Sequence, residues 1–203
     1  MGSSFDLASG GEVDRCCALG IAPDRCCFGN TIKREQDIAR AYALGIDFFA
    51  VDSLGELKKL ARSAPGARVF RRLAVHGDGA EWPQTRKFGC TPHLAAELRH
   101  GDRDPRRWVY VDAGRYNGLA QSLGEAIHYP VRTSREGGDF APTVLAGPTC
   151  DSTDIIYDRA NYALPVDLTI GDTIDFLTAD AYTASYASVE FNGFPPVATY
   201  CFG

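Results

Sequence analysis

The chain of 203 residues has no apolar run of the roughly 18 residues that a membrane-spanning helix requires, so none is expected. Its N-terminus lacks a basic stretch followed by an apolar one, and no secretory signal is expected. Met1-Gly2 opens like a myristoylation site, but the sixth residue is Asp6 where that signal needs Ser or Thr. Positive charge is also short. Lys and Arg number 21 against 26 Asp and Glu, a net charge of -5, which argues against binding a phosphate backbone. A dinucleotide-binding glycine fingerprint is missing too: Ser9-Gly10-Gly11 is too short for one. The seven cysteines include two adjacent pairs, Cys16-Cys17 and Cys26-Cys27. Neighbours on one element point in different directions, so the pairs do not make a tetrahedral metal site. Free cytosolic thiols are expected, with no metal and a cytoplasmic location.

What is present is an ordinary soluble composition, 45% hydrophobic and 23% charged. The first hundred residues repeat. Strand-like runs begin at Phe5, Cys26, Asp47 and Arg68, spaced by about 21 residues. Helical patterns follow the first three, from Gly11 to Leu19, Thr31 to Leu44 and Leu54 to Arg62. Asn30 and Ser53 suit N-caps, and Ser53 has Glu56 three residues on, as in a capping box. Gly20, Gly45 and Gly66 suit left-handed helix exits. Strands alternating with helices over short links imply parallel pairing. A doubly wound sheet and a (β/α)8 barrel both offer it, and the barrel fits better without the glycine fingerprint.

His100-Gly-Asp-Arg-Asp-Pro-Arg-Arg107 is charged and rich in breakers, and a boundary falls there. Beyond it the runs Trp108–Gly114, Tyr129–Arg132, Thr143–Leu145, Asp175–Leu177 and Ala198–Cys201 read as short strands between Gly and Pro turns. Gly118 to Ile127 reads as a helix, Ser185 to Ser188 as a short second one, and Gly171-Asp172 as a turn. The fold expectation is α/β plus β: a partial, TIM-like barrel of about four βα units in residues 1–99, a junction at 100–107, and an antiparallel β-barrel-like domain in 108–203.

Chemistry concentrates in Leu145-Ala-Gly-Pro-Thr-Cys-Asp-Ser-Thr-Asp-Ile-Ile156, where a thiol and a carboxylate, Cys150 and Asp151, follow a Gly-Pro turn. Alone, the pair reads as a loop cysteine beside a solvated carboxylate. Together with Asp180-Ala-Tyr-Thr183 and Phe191-Asn-Gly-Phe194 it resembles the fold-type III, pyridoxal-phosphate-dependent ornithine/diaminopimelate/arginine decarboxylases, the bacterial ornithine enzymes most of all. Phe5–Glu12, Gly29-Asn30 with Lys33, Phe49–Ser53, Val69–Arg72 and Lys87-Phe-Gly89 are similar to successive strand-end motifs of that family's barrel. Strand C-termini are where a barrel enzyme keeps its chemistry.

The resemblance implies a cytoplasmic lyase that converts L-ornithine to putrescine for polyamine biosynthesis, acting on a basic amino acid as a homodimer. Cys150 and Asp151 would reach across the dimer interface, the cysteine steering protonation and the aspartate holding the distal amine. Asp6, Glu12, Arg72 and Tyr182 would lie at the cofactor, Tyr182 on its phosphate, and Glu125 would assist Asp151. On the residues alone, Asp6 and Glu12 are equally helix N-terminal charges, Arg72 a surface ion-pair partner, and Glu125 a helix-surface glutamate.

The resemblance falls into two blocks, roughly 5–99 and 107–203. The family's histidine that stacks on the cofactor ring, its triple-glycine phosphate loop and its Schiff-base lysine have no match here. His76, His93, His100 and His128 have other neighbours, and Gly137-Gly138 is only a pair. Lys33, Lys58, Lys59 and Lys87 sit in other motifs. The expectation is weak cofactor retention and impaired or absent activity of the chain alone. Asp180, where the family carries glycine, would crowd the dimer contact. The alternatives are a non-catalytic homologue that binds or regulates a complete subunit, and a fragment with no function.

Overall fold

The computed structural model describes residues 2–74, 87–90, 107–135, 137–179 and 182–200. Expectations at His76, His93, His100, Asp180 and Cys201, and most of the junction, lie outside these residues. The chain forms two compact units. The first comprises Met1–Arg103 with Thr149–Thr153 and Asn192–Phe194; the second comprises Asp104–Pro148, Asp154–Phe191 and Pro195–Gly203.

The first unit is a parallel sheet in the order β1 (Phe5–Leu7), β2 (Cys26–Phe28), β3 (Phe48–Val51), β4 (Arg68–Arg71). Parallel neighbours need a crossover, and the helices α1 (Gly10–Ala18), α2 (Glu35–Ala43) and α3 (Leu54–Ser63) supply it. Alternation decides which face each side chain takes. Leu7, Cys26, Phe28, Phe49 and Val51 join Val13, Ile38, Ala41 and Leu60 from the helices in one buried cluster. Asp6 and Cys27, register partners on β1 and β2, therefore share the opposite face. Gly20, Gly45 and Gly66 end the helices at φ of 70°, 93° and 83°, as expected of left-handed exits. Leu73 bridges Cys90 in parallel, which carries the strand-and-return pattern one step past β4.

Three local expectations change. Ser53 caps α3 by accepting from the Glu56 backbone N–H, but the Glu56 carboxylate goes elsewhere. It sits 3.3 Å from Lys33 Nζ and also pairs with Lys59. Lys33 and Glu56 side chains are 0% and 3% exposed, so this is a buried charge group. The second helix starts later than the pattern implied, because Asn30 is not its cap: the Asn30 amide donates to Ala8 O at 3.0 Å and ties the ends of β1 and β2 together.

The second unit is mixed rather than antiparallel. β5 (Arg107–Tyr110) pairs parallel with β7 (Phe140–Ala146), and β8 (Ile155–Tyr157) and β9 (Ala163–Pro165) pair antiparallel with β7. The reason lies in the connection. Between β5 and β7 the chain contributes β6 (Val131–Thr133) to a separate two-stranded sheet with β10 (Ile174–Phe176), so β7 returns in the direction of β5. The helix expected from Gly118 to Ile127 is a broken 3-10 turn over Ala120–Glu125. Left-handed Gly124 (φ 64°) and Glu125 (φ 62°) interrupt it. The late helix is α4 (Tyr182–Ser185), earlier than expected, and Ala198–Tyr200 forms no strand.

Leu119, Tyr129, Leu145, Ile156, Tyr157 and Leu164 form this unit's core. The Tyr157 hydroxyl accepts from Tyr129 N at 2.8 Å and donates to Ile127 O at 3.0 Å. Burial pushes that phenol up to about 12. Asp154 is fully buried, accepts from Arg115 N at 2.8 Å, and presses on both Gly114 and Gly147 so closely that neither position has room for a side chain.

Removing one member of a buried charge group strands the other. Glu56→Ala is therefore expected to lower unfolding free energy by about 3–5 kcal/mol, read as a fall in the urea midpoint at unchanged slope. A loss under about 1 kcal/mol would show that water reaches Lys33.

Candidate active site

The C-terminal end of the parallel sheet gathers most of the residues singled out from sequence. Ser9 accepts from Glu12 N and starts α1. The Glu12 carboxylate turns back and accepts from Ala8 N at 2.7 Å, which holds it at the end of β1. Asp6 lies over Gly29 with no space for a side chain there, and accepts from the Cys27 thiol at 3.2 Å. Cys27 is held protonated: burial, then the Asp6 hydrogen bond and charge, push its pKa up to about 12.

Arg72 follows β4. Its backbone N–H donates to Val51 O at 2.9 Å, and its guanidinium lies 5.1 Å from the Phe88 ring centre. Lys87 approaches the same ring at 5.0 Å, so one aromatic face system supports two cations. The Lys87 ammonium is buried and donates to Thr149 O at 2.8 Å and Asp151 O at 3.2 Å. Asp52 completes this corner by accepting from Gly89 N at 2.9 Å.

The Thr149–Thr153 segment thereby enters the first unit. Cys150 donates to Asn192 Oδ1 at 3.3 Å. Its thiol is raised mainly by burial, further by the charges of Glu12 and Asp6, and lowered by Arg72 and Lys87. Among the described residues those four charged groups act on Cys150. The Asp151 carboxylate accepts from Thr153 N and Oγ1, both at 2.7 Å, which closes a local turn and fixes its direction. Asn192 (φ 49°) and Gly193 (φ 71°) are both left-handed, and Gly193 packs against Ser9, Glu12 and Gly11.

Asp6, Glu12, Arg72, Cys150 and Asp151 therefore lie in one unit. Glu125 and Tyr182 belong to the other. Glu125 Oε1 accepts from Asp158 N and Arg159 N, both at 2.8 Å, and Tyr182 is half exposed with its ring 5.3 Å from that of Tyr186. Sequence reasoning placed Lys87 only in a strand-end motif and Asn192 only in the Phe-Asn-Gly-Phe stretch. A buried lysine is legible in sequence only if its carbonyl partners are known, and these lie more than sixty residues away. Among the described residues no group of three or more His, Cys, Asp or Glu is arranged to hold a metal ion, and no helix is long and apolar enough to cross a membrane.

Residues 1–103 match the family model described as pyridoxal-dependent decarboxylase, pyridoxal binding domain, and residues 93–179 match its C-terminal sheet domain. The chain is 39% identical over 99 residues to the chloroplastic ornithine decarboxylase of Nicotiana glutinosa, covering 48% of this chain and 23% of that protein. It is 30% identical over 309 residues to the ornithine decarboxylase of Schizosaccharomyces pombe, covering 95% of this chain and 71% of the relative. That alignment is longer than the chain itself, so more than a hundred of the relative's positions have no counterpart here. Among solved structures, the arginine decarboxylase of Paramecium bursaria Chlorella virus bound to agmatine is similar at 20% identity and a TM-score of 0.45, over 94% of this chain and 82% of that one.

Asp6→Asn removes the charge and alters the hydrogen bond, two of the four influences that raise Cys27, the others being burial and Cys26. Peptide-resolved alkylation should then show Cys27 reacting at lower pH than in the parent, with Cys26 unchanged. An unaltered pH profile for Cys27 would mean that burial and the neighbouring Cys26 set it without Asp6.

Proposed function

The chain belongs to the pyridoxal-dependent decarboxylases, and from that premise we propose that it is an ornithine decarboxylase-like protein that turns over no amino acid by itself. The supporting observation is how its lysines are spent. The chain has four: Lys33, Lys58, Lys59 and Lys87. Imine formation needs an amine with a free approach. Lys33 is buried and donates to Asn30 O at 2.8 Å and Ala50 O at 2.7 Å, beside Glu56. Burial lowers its pKa, yet its nitrogen already faces three oxygens. Lys87 is bound to the carbonyls of Thr149 and Asp151. Lys59 pairs with Glu56, and Lys58 is exposed on α3. These residues do not fit pyridoxal phosphate held as an imine.

What the site does fit is its own half of basic amino-acid recognition. Asp6, Glu12 and Asp151 supply negative charge for an amine, and Arg72 supplies a planar cation for a carboxylate. In this reading the four βα units are one arc of the family's barrel wall, residues 1–99, and residues 108–203 are its sheet domain. The preferred ligand class is L-ornithine and its product putrescine, taken from the ornithine decarboxylases with which the chain aligns. Glu125 contributes less than Asp151, because its Oε1 is used by two backbone donors.

A second reading, pairing with a complete decarboxylase subunit, is favoured by the exposure of Tyr182, Tyr186, Val189 and Tyr200 in the second unit. Co-purification with a full-length ornithine decarboxylase would support it; two independent elution peaks at micromolar concentration would not.

The main test is spectroscopic. With added pyridoxal phosphate and then borohydride, mass mapping should find no trapped adduct on Lys33 or Lys87, and labelled carbon dioxide should not be released from ornithine. A trapped adduct on either lysine together with turnover would overturn the proposal. Labelling of exposed Lys58 alone is the chance reaction of a surface amine.

A further inference from the structure

We propose that Cys16 on α1 and Cys26 on β2 are a redox-active pair that closes into a disulfide by exchange with a small disulfide such as oxidised glutathione. Neither thiol belongs to the candidate active site, so the pair stands whatever that site binds.

The fold sorts the four thiols of the two cysteine doublets. Alternation along β2 sends Cys27 to Asp6 on one face and Cys26 into the core on the other. On α1, Cys16 and Cys17 both pack against the core cluster that contains Cys26, and Cys16 lies in hydrogen-bonding contact with the Cys26 thiol. Adjacent helical residues diverge, so Cys16 and Cys17 do not face each other. Both ends of the connection between α1 and β2 are pinned. Ile21 N donates to Cys16 O at 3.0 Å where the chain reverses over left-handed Gly20, and the Cys26 thiol donates to Ala22 O at 3.9 Å. Cys16 and Cys26 are ten positions apart, so a bond between them closes a short loop that is already folded. Among the described residues no three His, Cys, Asp or Glu converge on a metal ion, whereas sulfur–sulfur bonding needs only two thiols.

Exposure sets the order of steps. Both are free thiols, Cys16 half-buried and Cys26 only 5% exposed. The Cys16 thiolate attacks one sulfur of oxidised glutathione, and the other half leaves as a thiolate that takes up a proton. Cys26 then loses its proton and attacks the Cys16 sulfur of the mixed disulfide, and the second glutathione leaves. The protein gives up two electrons and two protons, and one oxidised glutathione becomes two reduced ones. Burial, then the contact with Cys16, raises the Cys26 pKa, which suits it to resolve the mixed disulfide rather than to react first. Cys27, facing Asp6, takes no part.

The test is disulfide mapping of the full chain. The reduced protein is equilibrated with a fixed mixture of oxidised and reduced glutathione, free thiols are blocked, and the digest is mapped without reduction. Cleavage after Arg15, Arg25 and Lys33 puts Cys16-Cys17 and Cys26-Cys27 in separate peptides, so a link appears as a joined pair. The joined pair is expected, with fragmentation assigning it to Cys16 and Cys26. A Cys17→Ser, Cys27→Ser double variant should keep it, and Cys16→Ser should lose it. Separate glutathione adducts on Cys16 and Cys26, a link through Cys17 or Cys27, or a link that survives Cys16→Ser overturns the proposal. Repeating the equilibration of the parent chain in concentrated urea shows whether the fold holds the two thiols together. The ratio of linked to reduced chain should be at least about tenfold higher in the folded protein, because whatever the fold adds to the bond, the bond adds to the fold. Equal ratios overturn the proposal as well.

Discussion

The buried ammonium of Lys87 is the constraint from which the candidate site follows. Lys87 is inside the first unit, and charge in that position must be met by oxygen. Two of these oxygens come from the main chain at Thr149 and Asp151. Because these two acceptors are main-chain carbonyls, they hold the backbone on either side of Cys150 in place. Arg72 and Lys87 then act on the Cys150 thiol in one direction and Glu12 and Asp6 in the other. Burial outweighs both, and Cys150 stays a thiol rather than a thiolate.

Much of this was legible in the sequence, and the reasons differ from element to element. The 21-residue recurrence of apolar runs identified β1 to β4, because a parallel sheet covered by helices repeats its strand–helix unit. The glycine exits at Gly20, Gly45 and Gly66 were readable since each is a local backbone requirement. Asn30 was misread for the same reason in reverse: its type suits a cap, but a long-range carbonyl, Ala8 O, took its amide. The second unit was harder. Its strands are three or four residues long except β7, too short for a period of two to declare itself, and β8 and β9 were missed altogether. The parallel pairing of β5 with β7 was not readable from either strand, since direction depends on where the intervening β6 goes.

The site residues divide in the same way. Asp6, Glu12, Arg72, Cys150 and Asp151 were found from motif type and order along the chain, and the fold brings them into one unit. Lys87 and Asn192 take their importance from distant partners that no local pattern announces. Glu125 looked like a helix-surface carboxylate or an amine ligand. It is a left-handed residue, not on a regular helix, and its Oε1 accepts from the backbone of Asp158 and Arg159.

Asp154 has a consequence for how this protein can change. Its carboxylate occupies the volume above two glycines, Gly114 and Gly147, while anchoring the Arg115 amide. A larger residue at either glycine must evict the carboxylate, and a smaller residue at Asp154 leaves an amide unanswered and a hollow behind. Every single step away from the trio passes through a damaged molecule. The three positions therefore form one inherited unit, to be replaced together or kept together, although 40 residues separate the first from the last.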